Sequence, residues 1–94
     1  MATSGIEDSA RRLLDAFYDL SGHNPIVSIP IGTPDSTPEE SAAKAAGIEP
    51  GSTECAVVVR YLLNQGYIKE TNDPSKYTIT VTGIEKVRES RSPD

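Results

Sequence analysis

Residues 52 to 83 read STECAVVVRYLLNQGYIKETNDPSKYTITVTG, and the hydrophobic period of that stretch changes once. At about 100° per residue, Cys55, Val58, Val59, Leu62 and Leu63 fall on one side of a helix over 52–65. Thr53, Glu54, Val57, Arg60, Tyr61 and Asn64 fall on the other, so one side packs and the other faces out. Ser52 carries a hydroxyl able to cap the free N–H groups of the first turn, and Gly66 stands where a left-handed stop is needed. Beyond Gly66 the period becomes two. Tyr67-Ile68-Lys69-Glu70 and Tyr77-Thr78-Ile79-Thr80-Val81 alternate apolar with polar residues and are rich in β-branched and aromatic types, which predicts strands over 67–71 and 76–81. Thr71-Asn72-Asp73-Pro74-Ser75 between them is turn chemistry. The stretch is one helix followed directly by a hairpin.

Working outward, Thr37-Pro38-Glu39-Glu40 reads as a helix start, with a hydroxyl cap, proline at the first helical position and acids at the positive end of the dipole. The expected helix covers 38–46 and stops at Gly47, with Ile48 folding back as an anchor. With the turn at Glu49-Pro50-Gly51, residues 37 to 65 form helix, turn, helix. Ile26 to Ile31 is β-branched and extended, and Pro30, lacking a donor, suits an edge strand, so a strand is expected over 26–31. Gly32 to Ser36 reads as a polar loop. A first helix is expected over 4–21: Ser4-Gly5-Ile6-Glu7 has capping-box spacing, and Ile6, Ala10, Leu13, Leu14, Phe17 and Leu20 line one face. Glu7 with Arg11 and Asp8 with Arg12 are acid-before-base pairs on its wet face. Gly22 and Pro25 end that helix, and His23 between them reads as a surface turn residue. After the hairpin, Thr82-Gly83-Ile84-Glu85 has capping-box spacing again. It predicts a last helix over 82–90, with Thr80 as a rival cap and Arg91-Ser92-Pro93-Asp94 as a frayed tail. The order is helix, strand, helix, helix, strand, strand, helix in a single domain spanning 1–94, an α+β, mostly helical class.

The run Leu62-Leu63-Asn64-Gln65-Gly66-Tyr67-Ile68, a short polar loop, and Tyr77-Thr78-Ile79-Thr80-Val81-Thr82-Gly83 resemble the winged helix-turn-helix domains of PadR-like and MarR-like regulators. The resemblance implies a winged helix-turn-helix fold and a transcription regulator that reads duplex DNA. It also implies pairing as a homodimer, because such regulators commonly read two half-sites.

Composition narrows the field. Ninety-four residues make one small core, and a deep active-site cavity is not expected. The net charge is −5. Residues 1–46 hold three bases against seven acids and residues 47–94 hold six against seven, so the reading half is nearly neutral. That counts against nucleic acid, because Lys and Arg supply most phosphate affinity. The single histidine and single cysteine, Cys55, have no partners for catalysis or metal binding, and neither phosphate-loop glycine pattern occurs, so neither an enzyme nor a cofactor is expected. Met1 opens into no apolar run, no segment is long enough to span a membrane, and the lone Cys forms no internal disulfide, so a cytoplasmic location is expected.

The outward face of helix 52–65 carries the functional expectation. Arg60 is a type that takes guanine, Asn64 one that takes adenine, and Thr53 and Val57 bear methyl groups that meet thymine. With Tyr61 they form the candidate reading face. The loop from Thr71 to Lys76 is the candidate wing, with Lys69, Lys76, Arg60 and Lys44 on phosphate. A module that keeps the fold and binds a protein through Val57, Tyr61 and the wing is the alternative. An exposed apolar pair four residues apart marks contacts, and Glu54 lies where phosphate would approach. Residue types favour double-stranded DNA and the acidic balance favours protein; the reading taken is a DNA-binding regulator.

Overall fold

A computed structural model describes residues 2–22, 24–33 and 35–91, with side chains from Ile6 onward. His23 and residues 92–94 of the expected tail lie outside them. Among the described residues, four helices and a small antiparallel sheet occur in the order α1 (Ala2–Ser21), β1 (Ile29–Pro30), α2 (Ala42–Ala46), α3 (Thr53–Gln65), β2 (Ile68–Glu70), β3 (Lys76–Ile79) and α4 (Val81–Arg91). The class is α+β.

The inward face of α1 is the one read from its period. Ala10, Leu13, Leu14 and Phe17 are buried, Phe17 completely, and Tyr18 and Ala16 join them. The helix begins at Ala2, so Ser4 and Gly5 lie inside it and the expected cap is not its start. Of the two expected ion pairs only Asp8 with Arg12 closes, at 3.7 Å. Arg91 is not frayed. It ends α4 over the Tyr18 ring, 4.9 Å from the centroid, with Asp19 at 3.2 Å and Asp15 at 3.7 Å, and so fastens α4 to α1.

Two segments read as regular structure are shorter because side-chain hydrogen bonds compete for the backbone. Asn24 Oδ1 accepts the Ile26 N–H at 2.9 Å and Asn24 O accepts the Val27 N–H at 3.3 Å. A turn therefore occupies the front of the expected strand 26–31, leaving Ile26 82% exposed. Residues 38–40 form a turn closed by Glu40 N–H to Thr37 O at 3.0 Å, and the helix expected from 38 starts only at Ala42. Its cap is Ser41, fully buried, whose Oγ accepts the Lys44 N–H at 3.1 Å and donates to Ile31 O. Ile31 O also accepts the Ala43 N–H at 3.3 Å, so the start of α2 is fixed by the end of β1. The loop between is not slack: Gly32 sits at φ 99° against Ser41, where a Cβ would overlap its side chain.

Helix ends follow the sequence more closely. Gly47 and Gly66 are both left-handed, and Ile48 N–H to Ala43 O and Tyr67 N–H to Leu62 O complete the same stop motif. Ile48 is buried as the anchor. Ser52 caps α3 through the Cys55 N–H at 3.1 Å. In the sheet, order β1-β3-β2, Ile29 pairs with Tyr77, Ile68 with Ile79 and Glu70 with Tyr77, all antiparallel. Pro30 sits on the edge strand. The strand expected to 81 ends at Ile79, because Thr80 caps α4. Its Oγ1 accepts the Gly83 N–H at 3.0 Å and donates to Gly66 O at 2.6 Å, so Thr80, not Thr82, starts the last helix. Ile68, Ile79, Leu62, Val58 and Val87 close the core around Phe17.

The α3–hairpin cleft as candidate interface

Helix α3 places its buried row, Cys55, Val58, Val59 and Leu62, on the core and leaves Thr53, Val57, Arg60 and Asn64 exposed in one column. Val57 is 41% exposed. Tyr61 leaves that column: it is half-buried against the core and lines a groove toward α1 and α4. Its position, about 80° around the helix from Thr53, turns it sideways. The exposed pair Val57 and Tyr61 is therefore Val57 alone. Glu54 is not free either, since Ser9 of α1 donates to its Oε2 at 2.7 Å and ties the start of α3 to α1.

The hairpin divides the expected phosphate contacts. Side chains alternate across a strand, so Ile68 and Glu70 of β2 share a face with Ile79 and Tyr77 of β3, and Lys69, Thr78 and Lys76 lie on the opposite face. The first face meets α3. An open cleft of about 600 Å³ runs between α3 and the hairpin, with Val59, Leu63 and Tyr77 on its floor and Arg60, Asn64 and Glu70 at its rim. Lys69 and Lys76 are exposed but stand behind the sheet. Lys44 is half-buried on α2 and does not line the cleft. Of the expected contacts, Arg60 and Asn64 come together, and Glu70 and Tyr77, which the sequence reading did not single out, join them.

The five-residue tip is held by its own side chains. Thr71 Oγ1 accepts the Asp73 N–H at 3.1 Å and donates to Lys76 O at 3.1 Å, while Asp73 Oδ1 accepts from the Ser75 N–H at 2.9 Å and the Ser75 hydroxyl at 2.7 Å. Those two donors, with a smaller pull from the Lys76 charge, hold the Asp73 carboxyl below its ordinary range, so it stays ionised. On the floor, burial pushes the Tyr77 phenol up, helped by Glu70, and burial likewise pushes up the Cys55 thiol. Both stay neutral, and the Cys55 thiol is buried among the core side chains.

Among the described residues no cluster of His, Cys, Asp and Glu is placed to hold a metal ion, and no helix is long and apolar enough to cross a membrane. No family model, curated protein or solved structure matches the chain.

Proposed function

We propose that the chain is a winged helix-turn-helix module that binds a protein partner across the cleft between α3 and the hairpin. Element order and sheet order β1-β3-β2 support the winged-helix reading, with α2 and α3 as the helix-turn-helix and residues 71–75 as a short wing. The observation that carries the partner class is the distribution of charge. The cleft has an apolar floor with one guanidinium and one carboxylate at its rim, the wing tip holds Asp73 ionised, and Lys69 and Lys76 fall on the other face of the hairpin strands. Duplex DNA needs cations gathered on one face. The cleft suits a protein surface that offers an apolar side chain beside a basic one.

DNA remains the second reading because Thr53, Val57, Arg60 and Asn64 stand uncovered in one column and are types a major groove accepts. On that reading a homodimer is required to gather enough cations. A shift assay against pooled duplex DNA at low and moderate salt, with a sizing run beside it, separates the two. Protein binding predicts no salt-sensitive shift and Glu70→Lys as the variant that loses the partner. The proposal fails if duplex binds specifically, Arg60→Ala costs about 1 to 3 kcal/mol, and Lys76→Ala lowers the salt slope by about one.

A further inference from the structure

A second concavity, of about 230 Å³, lies on the other flank of α3, where α1, α3 and α4 meet. Its floor is apolar: Leu14, Leu62 and Val87 are all nearly fully buried. A closed, aliphatic-lined cavity of ~150 Å³ takes up benzene, so this larger, half-open groove has room for a single-ring body over its apolar floor. What distinguishes it from a packing defect is the polar groups around that floor. Arg11 of α1, which closes no ion pair with Glu7, borders it, as do the half-buried phenols of Tyr61 and Tyr67 and Lys86 of α4, whose exposed ammonium lies 3.8 Å from the Glu89 carboxylate on the same helix. Neither phenol hydroxyl has a hydrogen-bond partner among the described residues. Two cationic side chains and two phenols thus border one apolar floor. Two acids border it as well: Asp15, whose Oδ1 lies 3.7 Å from Arg91 and whose carboxyl also feels the Arg11 charge, and Glu7, exposed at the mouth.

From this arrangement we infer that the groove binds a small organic anion with an apolar body, its acid group taken by Arg11 and Lys86 and its body laid on Leu14, Leu62 and Val87. The site is independent of the cleft, since it uses the opposite flank of α3. Tyr61 reaches it from α3 and Val87 from α4, so an occupant bridges the last helix to the helix that borders the cleft.

The test is an amide NMR titration of the whole chain with three probes of one body: cyclohexanecarboxylate, cyclohexanecarboxamide and cyclohexylamine. The acid is expected to give saturable shifts around Arg11, Tyr61 and Val87 at millimolar concentration, the amide weaker ones and the amine the weakest. Arg11→Gln and Lys86→Gln, both at exposed positions, should each weaken the acid roughly tenfold, the scale of one charge-assisted hydrogen bond, and leave the amide unchanged. The assignment is overturned if the amine binds as well as the acid, if the shifts map elsewhere, or if the acid gives no saturable shift.

Discussion

Gly83 tests whether α4 is seated as described, because two lines of reasoning give opposite signs for Gly83→Ala. On helix propensity alone the change stabilises, by about 0.8 to 1.0 kcal/mol, since glycine is that much poorer than alanine in a helix. The structure gives the reverse. A Cβ at residue 83 would overlap the Tyr67 carbonyl oxygen and stand 3.0 Å from its carbon and 2.9 Å from Ile79 Cγ1. That carbonyl cannot yield freely, because it accepts the Thr80 N–H at 2.9 Å while the Thr80 hydroxyl holds Gly66 O at 2.6 Å. Overpacking against a fixed backbone costs about 1 to 3 kcal/mol, and a backbone overlap belongs at the upper end. Net of the propensity gain, the expected loss is about 1 to 2 kcal/mol. In a domain of this size each kcal/mol lowers Tm by roughly 4 to 8 °C. Thermal and urea unfolding followed by far-ultraviolet circular dichroism measure it, with the exposed Glu85→Ala on the same helix as a control expected within about 0.5 kcal/mol of the parent. A Gly83→Ala protein as stable as the parent, or more so, refutes the close seating of α4 on Tyr67.

Phe17→Ala should cost about 3 to 5 kcal/mol in urea unfolding, because the ring is completely buried and meets the Tyr77 ring edge-on at 6.4 Å. Thr80→Val keeps the shape and removes both the cap on Gly83 N–H and the bond to Gly66 O, so a loss of about 1 to 2 kcal/mol is expected; a loss below the error of the measurement would mean the cap belongs to Thr82. Asp15 gives a pH test. Burial raises its pKa above the ordinary 3.8 although Arg91 opposes it, so the folded state holds that proton more tightly than the unfolded state. The resulting stability is complete below 3.8 and is lost as pH rises through the folded value. Asp15→Asn removes that loss, and the variant should gain Tm relative to the parent as pH rises from acid toward neutral; parallel profiles would deny the burial of this carboxyl.

The elements most legible in the sequence were those set by local chemistry. The helix expected over 52–65 needs only its period, Ser52 and Gly66, and the structure forms it over Thr53–Gln65 with those two residues as its caps. The helix expected from 38 was misplaced because proline and acids mark a start only where the hydroxyl before them is free to cap. Here Ser41 competes, and its advantage lies in a contact with Ile31 ten residues earlier. Asn24 likewise shortens the expected strand with a turn that its own side chain closes, a signal present in Asn24-Pro25 and outweighed by the β-branched run after it. The site was half legible. Arg60 and Asn64 follow from helical phase, whereas only its charge puts Lys69 beside them. Alternation already placed Lys69 opposite Ile68, and the same rule carried one residue further brings Glu70 to the cleft. Tyr61 sits at the margin of the helical face, where phase does not decide and packing by α1 and α4 does.

Charge on the hairpin leads to a prediction in the direction of gain. Lys69 and Lys76 stand across the sheet from Arg60, so the three cannot neutralise one phosphate backbone together. Non-specific affinity grows with the number of phosphates neutralised, and log K falls with log salt at about −0.9 per contact. A rim offering Arg60 against Glu70 has no net positive charge to spend on phosphate. Glu70→Lys exchanges the rim acid for a base beside Arg60 and moves the charge of that rim by two units. It should create weak duplex binding at low salt, with a slope steeper than the parent's by about one. Lys69→Ala and Lys76→Ala in that background should change nothing, because they lie behind the sheet. If instead the parent already binds duplex and loses that binding on Lys69→Ala and Lys76→Ala, the back face of the hairpin is the one that meets phosphate, and the cleft is not the interface.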